Sequence, residues 1–193
     1  MTMIEKSRNT LAVNYSFPVR FYKLMLFFFY ITLFRHTPED YRPYALFFPG
    51  IRRFLLSQSI AACGKDIRVK SGADISPNIS VGDESELGTR CLIQSGVTIG
   101  NNVIMGPDVK IYSKNHCYDS VDIPIQKQGE VARSTIVGND VWIGANVIIL
   151  PGRRIGNHSV LAAGSVIIHD VPEYAVVGGN PASVIKYRIA AKG

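Results

Sequence analysis

An apolar residue returns at every sixth position in two long stretches of the chain. The series runs through eight positions from Val69 to Ile111 and through seven more from Val131 to Ile167. A period of six does not fit the α-helix, because positions six apart would spread around its whole surface. Short strands joined by corners keep one side chain per hexad facing inward. The pattern therefore predicts a repetitive β-structure.

The third position after each of these apolar residues predicts the corners. Corners favour residues that tolerate positive φ, chiefly glycine, asparagine and aspartate. Ten of thirteen positions carry one of these types, and the full set is Gly72, Asn78, Glu84, Arg90, Gly96, Asn102, Asp108, Asp140, Asn146, Gly152, His158, Gly164 and Asp170. Three strands per coil predict a triangular prism of about eighteen residues per turn and about five coils, with aliphatic side chains along its axis.

The repeat is interrupted once, in the segment SKNHCYDSVDIPIQKQG at residues 113–129. Ile111 and Val131 are twenty residues apart, two more than a coil of about eighteen. We therefore expect a loop over residues 112–130 that is pushed out of the prism. A regular coil offers no projecting base, so this loop is the first place to look for chemistry.

The N-terminal part differs from the repeat in charge and hydropathy. Residues 1–70 contain eleven Lys or Arg and four Asp or Glu, whereas residues 71–193 contain ten and eleven. The run LMLFFFYITLF at residues 24–34 has eleven residues, and a membrane-spanning helix needs about 20. Two interpretations stay open. One is a helix packed on the main body, and the other is a helix over residues 18–35 that lies in a membrane surface beside basic residues.

Three parts of the chain are predicted. Residues 1–63 form a helical N-terminal segment, residues 64–172 the β-helix, and residues 173–193 a C-terminal extension. Within the first part, apolar residues at helical spacing over residues 51–63 predict a helix that caps the open end of the solenoid. Pro172 and Pro181 are expected to stop any further coil.

The cysteines and histidines indicate the cellular compartment of the protein and whether it binds a metal ion. Cys63, Cys91 and Cys117 form no CxxC pair, so the sequence favours a reducing cytoplasm, with the inner face of its membrane as the more specific expectation. Only four histidines are present, and they do not match the spacing of a three-histidine zinc site. We expect no metal, and no nucleic-acid partner.

Three motifs in the second half of the chain resemble a known family. They are IVGNDVWIGANVIILPGRRIG from Ile136, VLAAGSVIIHDVP from Val160 and VVGGNPASVIK from Val176. Together they are similar to the hexapeptide-repeat acyltransferases, and most to the galactoside and maltose O-acetyltransferase branch and its polysaccharide-modifying relatives. The resemblance covers residues 64–188. It implies an all-β main domain folded as a left-handed parallel β-helix, a homotrimer with active sites at subunit interfaces, and acetyl-CoA as the acetyl donor.

The resemblance implies that His116 is the general base. A sugar hydroxyl is a poor nucleophile until a base takes its proton, and an imidazole suits that task near neutral pH. Glu130 matches a position where relatives carry a Gly-Glu pair, so it could orient the imidazole, with Asp119 and Asp122 as rivals. Cys117 is not expected to be a nucleophile, because adjacent side chains in extended backbone point to opposite sides.

Acceptor contacts are assigned to Asn115, Asp119, Glu86 and Arg90. The last two lie in ESELGTRCL, residues 84–92, where sugar acetyltransferases carry an asparagine that this chain lacks. This difference argues against a simple galactoside or maltose acceptor.

Donor contacts follow from positions that match the family. Trp142 precedes an inward residue and should point outward, where it needs a ligand or a neighbouring subunit as partner. Small residues would let the pantetheine arm approach, and basic residues would meet the phosphates of CoA. The whole set is Trp142, Ala145, Ala163, Ile168, His169 and Lys186, with Arg188, Arg153 and Arg154 as further cations. Relatives carry Thr-Lys where this chain has Ile168 and His169.

The sequence therefore predicts an O-acetyltransferase that acts on a sugar of a cell-surface polysaccharide or of its lipid-linked precursor. A second possibility is N-acetylation of an amino sugar on a nucleotide carrier, for which loss of the base would matter less. A non-catalytic β-helical binding scaffold is the third. It is disfavoured by the polar interrupting loop.

Overall fold

The computed structural model describes residues 17–188, with side chains described from Phe21 onward. Helix α1 spans Phe17–Phe29 and continues as one π-helical stretch over Tyr30–Phe34, and helix α2 spans Phe48–Ser59. Nineteen strands follow within the described residues, most of them two residues long. The predicted β-solenoid with a helical N-terminal segment is confirmed.

The strands form the three faces of a prism by parallel pairing. Face one contains β1 (Ala62–Cys63), β4 (Ser80–Val81), β7 (Thr98–Ile99), β12 (Ile136–Val137) and β15 (Arg154–Ile155). Face two contains β2 (Arg68–Val69), β5 (Glu86–Leu87), β8 (Ile104–Met105), β13 (Trp142–Ile143), β16 (Val160–Leu161) and β18 (Ala175–Gly179). Face three contains β3 (Asp74–Ile75), β6 (Leu92–Ile93), β9 (Lys110–Ile111), β14 (Ile148–Ile149) and β17 (Val166–Ile167).

Three short elements lie outside this parallel pairing. Strands β10 (Lys114–His116) and β11 (Glu130–Ala132) form an antiparallel hairpin, with a 3₁₀ turn over Ile125–Lys127 between them. Strand β19 (Ala182–Tyr187) pairs antiparallel with β18 and ends the described fold.

The solenoid makes about six turns rather than five, because it continues beyond Pro172. Strand β18 pairs in parallel with β16, with Val176 opposite Val160, so Pro172 does not stop the coil. At the other end, β1 already pairs with β4, two residues before the expected start at residue 64. Parallel pairing thus extends past both predicted limits of the β-helix.

Most hexads bury two alternate residues, and the period of six identifies one of them. Ile99, Ile143 and Ile149 lie on the axis as expected, and the residue two positions earlier is also buried in each case. In some hexads this second position is a serine. Ser85, for example, donates a hydrogen bond to the carbonyl of Gly100 (2.8 Å), which satisfies its buried hydroxyl.

The predicted corner positions adopt the predicted backbone conformation. Eleven of the thirteen have φ between 51° and 82°, including Glu84, Arg90 and His158, which are unusual residues for this region. Asn78 and Asp170 are the exceptions. The position within the hexad therefore determines the backbone conformation, even where the residue type does not favour positive φ.

Both helices pack on the first coils. From α1, the Tyr30 hydroxyl donates to the carbonyl of Ala73 (2.7 Å), and burial raises the pKa of this phenol. From α2, Leu55 and Leu56 join the core of the solenoid. Helix α2 ends at Ser59, so the helix predicted over residues 51–63 was placed too far along the chain. Among the residues described, no helix is long and apolar enough to cross a membrane.

Candidate active site

The interrupting loop is one insertion of twenty residues into a single coil. Ile93 pairs with Ile111, eighteen positions later, whereas Ile111 pairs with Ile149, thirty-eight positions later. The prediction that Val131 resumes the repeat was wrong, because Val131 lies exposed on the hairpin and Val137 is the first axial residue after the loop. Twenty residues are three hexads plus two residues, so the insertion shifts the repeat by two positions.

The base of the loop is held by polar side chains that the sequence did not single out. Oε1 of Gln94 accepts hydrogen bonds from the backbone N–H groups of Ser113 (2.9 Å) and Lys114 (3.1 Å). The buried hydroxyl of Thr135 donates to the carbonyl of Tyr112 (2.6 Å). The Arg133 N–H donates to the carbonyl of Ser113 (2.7 Å). These bonds fix where β10 leaves the prism.

The hairpin puts His116 directly opposite Glu130. The two residues are Cα partners in the antiparallel ladder, and Nε2 of His116 lies 3.9 Å from Oε1 of Glu130. That distance is too long for a hydrogen bond, and catalytic hydrogen bonds are often long until substrate binds. The ammonium of Lys114 lies 3.6 Å from the other carboxylate oxygen. Glu130 is thus next to His116, as the sequence predicted for an orienting carboxylate.

His116 lines two adjoining clefts, which also share Asn115, Leu150 and Pro151. The first, which we call the loop cleft, has a volume of about 220 Å³ and contains Asn115, His116 and Asp119 from the loop with Arg153 and Ile168 from the solenoid. The second, the strand cleft, has a volume of about 500 Å³, and Gln94, Lys114 and Glu130 line it beside His116. An imidazole that lines both clefts can face a donor in one and an acceptor in the other.

A third cleft continues from the strand cleft to helix α1. This helix cleft has a volume of about 400 Å³ and shares Gln94 and Lys114 with the strand cleft. It runs over the outside of face three past Asp74 and Leu92, and Phe27 of α1 contributes to its lining. The surface next to His116 is therefore an extended groove.

The other loop residues have separate positions. Asp122 is exposed, its N–H donates to Ser120 (3.3 Å), and it lines none of the three clefts. Cys117 lies in the loop cleft beside His116. The side-chain amide of Gln128 donates to the carbonyls of Ser120 and Ile123 (2.8 and 2.7 Å), which ties the loop to itself.

The predicted donor residues divide between two parts of the prism. Trp142 points outward from face two, 56% exposed, next to the exposed Ile104 on the preceding coil. Ala145 and Ala163 follow at the corner after this face, where coils stack so closely that a Cβ on Gly144 would lie 2.6 Å from the nitrogen of Ala163. Ile168, by contrast, lines the loop cleft after face three. The described chain does not bring Trp142 and His116 into one pocket.

The predicted phosphate-binding cations are mostly spread over the surface. Lys186 is exposed on β19 and Arg154 is exposed on β15. His169, predicted as a further donor contact, is exposed after β17. Arg153 is the exception, because it lines the loop cleft and donates to the carbonyl of Ile168 (3.0 Å). Arg188 donates to the carbonyl of His158 (2.9 Å).

Glu86 and Arg90 do not join the site in the described chain. Glu86 accepts a hydrogen bond from Arg68 (2.8 Å) on face two. Arg90 holds Asp108 through two bonds (2.8 and 2.6 Å), and that pairing lowers the pKa of the Asp108 carboxyl. Both side chains connect successive coils within one chain, and their contact with an acceptor stays a prediction.

His158 belongs to a separate corner cluster. Its Nδ1 lies 2.9 Å from Oδ2 of Asp140, and its ring stacks on Tyr174 at 4.8 Å between centroids. The bond to His158 and the charge of Arg188 lower the pKa of the Asp140 carboxyl. Within residues 17–188, no group of three His, Cys, Asp or Glu side chains is placed to hold a metal ion.

Comparison with known proteins identifies the family. The sequence family "Bacterial transferase hexapeptide (six repeats)" matches residues 134–169, and "Hexapeptide repeat of succinyl-transferase" matches residues 78–106. The galactoside O-acetyltransferase of Escherichia coli (strain K12) is 42% identical over 91 residues, which are 47% of this chain and 43% of that protein. The chain spans about half the length of this relative and of two others, a putative acetyltransferase of Saccharomyces cerevisiae and a galactoside O-acetyltransferase of Lactococcus lactis, between 43% and 58%.

Two solved structures extend the match over nearly the whole chain. A maltose O-acetyltransferase from Clostridium difficile 630 is 31% identical with a TM-score of 0.62, over 90% of this chain and 88% of that one. A galactoside acetyltransferase in complex with coenzyme A is 27% identical with a TM-score of 0.67, over 97% and 91%. Repeat, loop and whole-chain similarity agree, and the chain belongs to the hexapeptide-repeat acetyltransferase family.

Proposed function

We propose that this protein transfers an acetyl group from acetyl-CoA to a sugar hydroxyl of a cell-surface polysaccharide or of its lipid-linked precursor. The observation that carries the proposal is the extruded hairpin, which puts His116 in the lining of two adjoining clefts with Glu130 opposite. The family relationship supports acetyl-CoA as donor, since the similar galactoside acetyltransferase was solved with coenzyme A.

The chemistry follows from the position of His116. The imidazole nitrogen that does not face Glu130 takes the proton of the acceptor hydroxyl, and the oxygen attacks the thioester carbonyl. A carbon–oxygen bond forms, and the tetrahedral intermediate then collapses with cleavage of the carbon–sulfur bond. The CoA thiolate leaves and receives the proton from the imidazolium. The reaction thus accounts for the proton and for the electron pairs, and it requires no metal ion or redox partner.

A homotrimer would complete the site. Trp142 lies on face two, whereas His116 projects from the loop after face three. A single chain therefore does not enclose both the donor and the acceptor. The family resemblance implies active sites at subunit interfaces, and we propose that the loop of one subunit lies against face two of its neighbour. The exposed side chains of Trp142 and Ile104 would then be covered by acetyl-CoA or by the neighbouring subunit.

The extended groove favours a long acceptor. The strand cleft and the helix cleft adjoin through Gln94 and Lys114, and the two offer more room than one sugar ring needs. The experiment compares kcat/KM for oligosaccharides of increasing length that share one terminal sugar. We expect kcat/KM to rise with length until the groove is filled. A disaccharide that reacts as well as a long chain would contradict a polysaccharide acceptor.

The linkage formed separates O-acetylation from N-acetylation. An acetyl ester on the product is removed by mild alkali, whereas an acetamide survives it. We expect alkali-labile product with neutral sugars. An alkali-stable product formed only with amino-sugar acceptors, and little affected by loss of His116, would favour the nucleotide-linked amino sugar instead.

Glu130 is expected to position His116 without touching the acceptor. Glu130→Gln should lower kcat on the order of tenfold, which corresponds to about 1.4 kcal/mol, because the ring loses its charged neighbour. KM for acetyl-CoA should stay within about twofold. Asp122→Asn is the matched control and should leave both values unchanged. A larger loss in kcat for Asp122→Asn would transfer the orienting role to Asp122.

Trp142 allows donor binding to be followed directly, since it is the only tryptophan in the sequence. We expect coenzyme A to change the intrinsic tryptophan fluorescence saturably as the groove beside face two fills. Trp142→Ala should raise KM for acetyl-CoA about tenfold, the loss of about 1.4 kcal/mol in contact with an aromatic ring. Calorimetric binding of coenzyme A with unchanged fluorescence would remove Trp142 from the donor site.

A further inference from the structure

We propose that the outer face of helix α1 docks on an anionic membrane surface. This outer face comprises the outward side chains of α1 and its π-helical continuation, each between 38% and 62% exposed: Phe21, Tyr22, Leu24, Met25, Phe28, Phe29, Ile31 and Leu33. Thr32 is the one other exposed residue in this stretch, and its hydroxyl is bonded to the carbonyl of Phe28 (2.7 Å). No exposed residue from Phe21 to Leu33 is charged.

The opposite side of the same helix is mostly apolar, with Lys23 as the exception, since it is partly buried and donates to the carbonyl of Ile60 (3.1 Å). Leu26, Phe27, Tyr30 and Phe34 pack on the core of the solenoid. A helix that only covers a core has a polar outer side, whereas a helix that is apolar all round is covered on both sides. Eight large exposed side chains on one face therefore indicate a second apolar environment.

The charge of the N-terminal part favours a lipid surface over another protein. Residues 1–70 carry a net charge of +7, from eleven basic and four acidic residues, while the rest of the chain carries −1. Within that part, Arg42 is exposed and stacks over the ring of Tyr41 at 5.0 Å, whereas the exposed Arg53 is paired with Asp66 at 3.2 Å. A basic segment that also carries exposed aromatic side chains suits the headgroup region of an anionic bilayer.

The length of the helix fits the plane of the membrane rather than its depth. From Phe17 to Phe34 the helical stretch has eighteen residues, about 27 Å at 1.5 Å per residue. Its inward side is already occupied by the solenoid, so only one face is available to lipid. An interfacial helix buries one face in this way.

Docking through α1 would also orient the active site. Phe27 of this helix lines the helix cleft, which adjoins the strand cleft beside His116 through Gln94 and Lys114. The open groove would then begin near the lipid surface, where a lipid-linked acceptor presents its sugars. This link to the acceptor rests on the proposed function, but the docking itself does not.

Vesicle sedimentation of the full chain tests the proposal. Vesicles of phosphatidylcholine with phosphatidylglycerol are compared with vesicles of phosphatidylcholine alone. We expect the protein to sediment with the anionic vesicles and to bind more weakly as salt is raised. The combined variant Phe21→Gln, Leu24→Gln and Phe28→Gln should weaken that binding at least tenfold. Ile185→Gln is the matched control, equally exposed but on β19 at the other end of the solenoid, and should bind as the parent does.

Two further measurements identify the occupant and separate the two proposals. Light scattering in the absence of vesicles should give the same subunit number for parent and triple variant. Acetyl transfer to a soluble oligosaccharide should be retained in the triple variant, which also shows that it is folded. Absence of transfer in the parent would remove the proposed function and leave docking to be decided by sedimentation alone.

Three outcomes would overturn the docking proposal. One is a parent protein that does not sediment with anionic vesicles. Another is a triple variant that binds them as well as the parent does. The third is a triple variant with a reduced subunit number, since the outer face would then be a contact between copies of this chain.

Discussion

Replacing His116 with alanine is expected to lower kcat by about 10²–10⁴-fold, the usual contribution of a general base. His116 is exposed on a hairpin and has no part in the core, so its loss should leave the fold intact. KM for acetyl-CoA should change little, because the imidazole acts on the acceptor proton. Steady-state kinetics with saturating acceptor measure both values.

Cys117→Ser is the matched control for this variant. Cys117 lines the same loop cleft and is the next residue in the chain, yet the proposed chemistry gives its thiol no step. We expect most activity to remain. Full activity in His116→Ala with a large loss in Cys117→Ser would instead indicate a thiol nucleophile and contradict the assignment of the base.

Replacing Arg52 with alanine is expected to lower the free energy of unfolding by about 3 kcal/mol or more. The side chain is fully buried and joins the N-terminal segment to the first coil. It donates to the carbonyls of Val69 (3.2 Å), Thr37 (3.0 Å) and Pro38 (2.8 Å). Burial lowers the pKa of this guanidinium, and its hydrogen bonds offset the cost of placing a charged group in the core. The variant leaves three carbonyls without these partners, as well as a cavity.

The neighbouring Arg53 provides the comparison. Its side chain is 51% exposed and has one ion pair, to Asp66 at 3.2 Å. Arg53→Ala should therefore cost less than about 1 kcal/mol. Urea unfolding of both variants, followed by circular dichroism, gives the two differences. Equal midpoints for Arg52→Ala and Arg53→Ala would show that the buried bonds do not hold the cap in place.

The repeat was predictable because both of its signals are local. An inward aliphatic and a corner residue recur in each hexad, so Ile143 and Asn146 can be placed without knowledge of the rest of the chain. The ends were less predictable. Pro172 predicts the end of the coil. The strand after it nevertheless pairs with Val160 and its neighbour, because the pairing uses backbone groups, which leave no signature in the sequence.

The candidate site was predictable only in part. His116 and Glu130 follow from the interruption and the resemblance, and the hairpin brings them together. Gln94 was missed, because it anchors the loop from a regular hexad nineteen residues earlier than Ser113, with no local signal. Glu86 and Arg90 were assigned to the acceptor from one stretch of sequence, while the structure gives their charges partners on adjacent coils.

Transfer of a labelled acetyl group tests the central claim most directly. The purified protein is incubated with acetyl-CoA labelled in its acetyl group and with a panel of bacterial glycans, and the products are analysed by mass spectrometry. We expect one or more glycans to gain the label as an alkali-labile ester, and the His116→Ala variant to form little or none. A protein that labels no glycan and binds no acetyl-CoA would contradict the account.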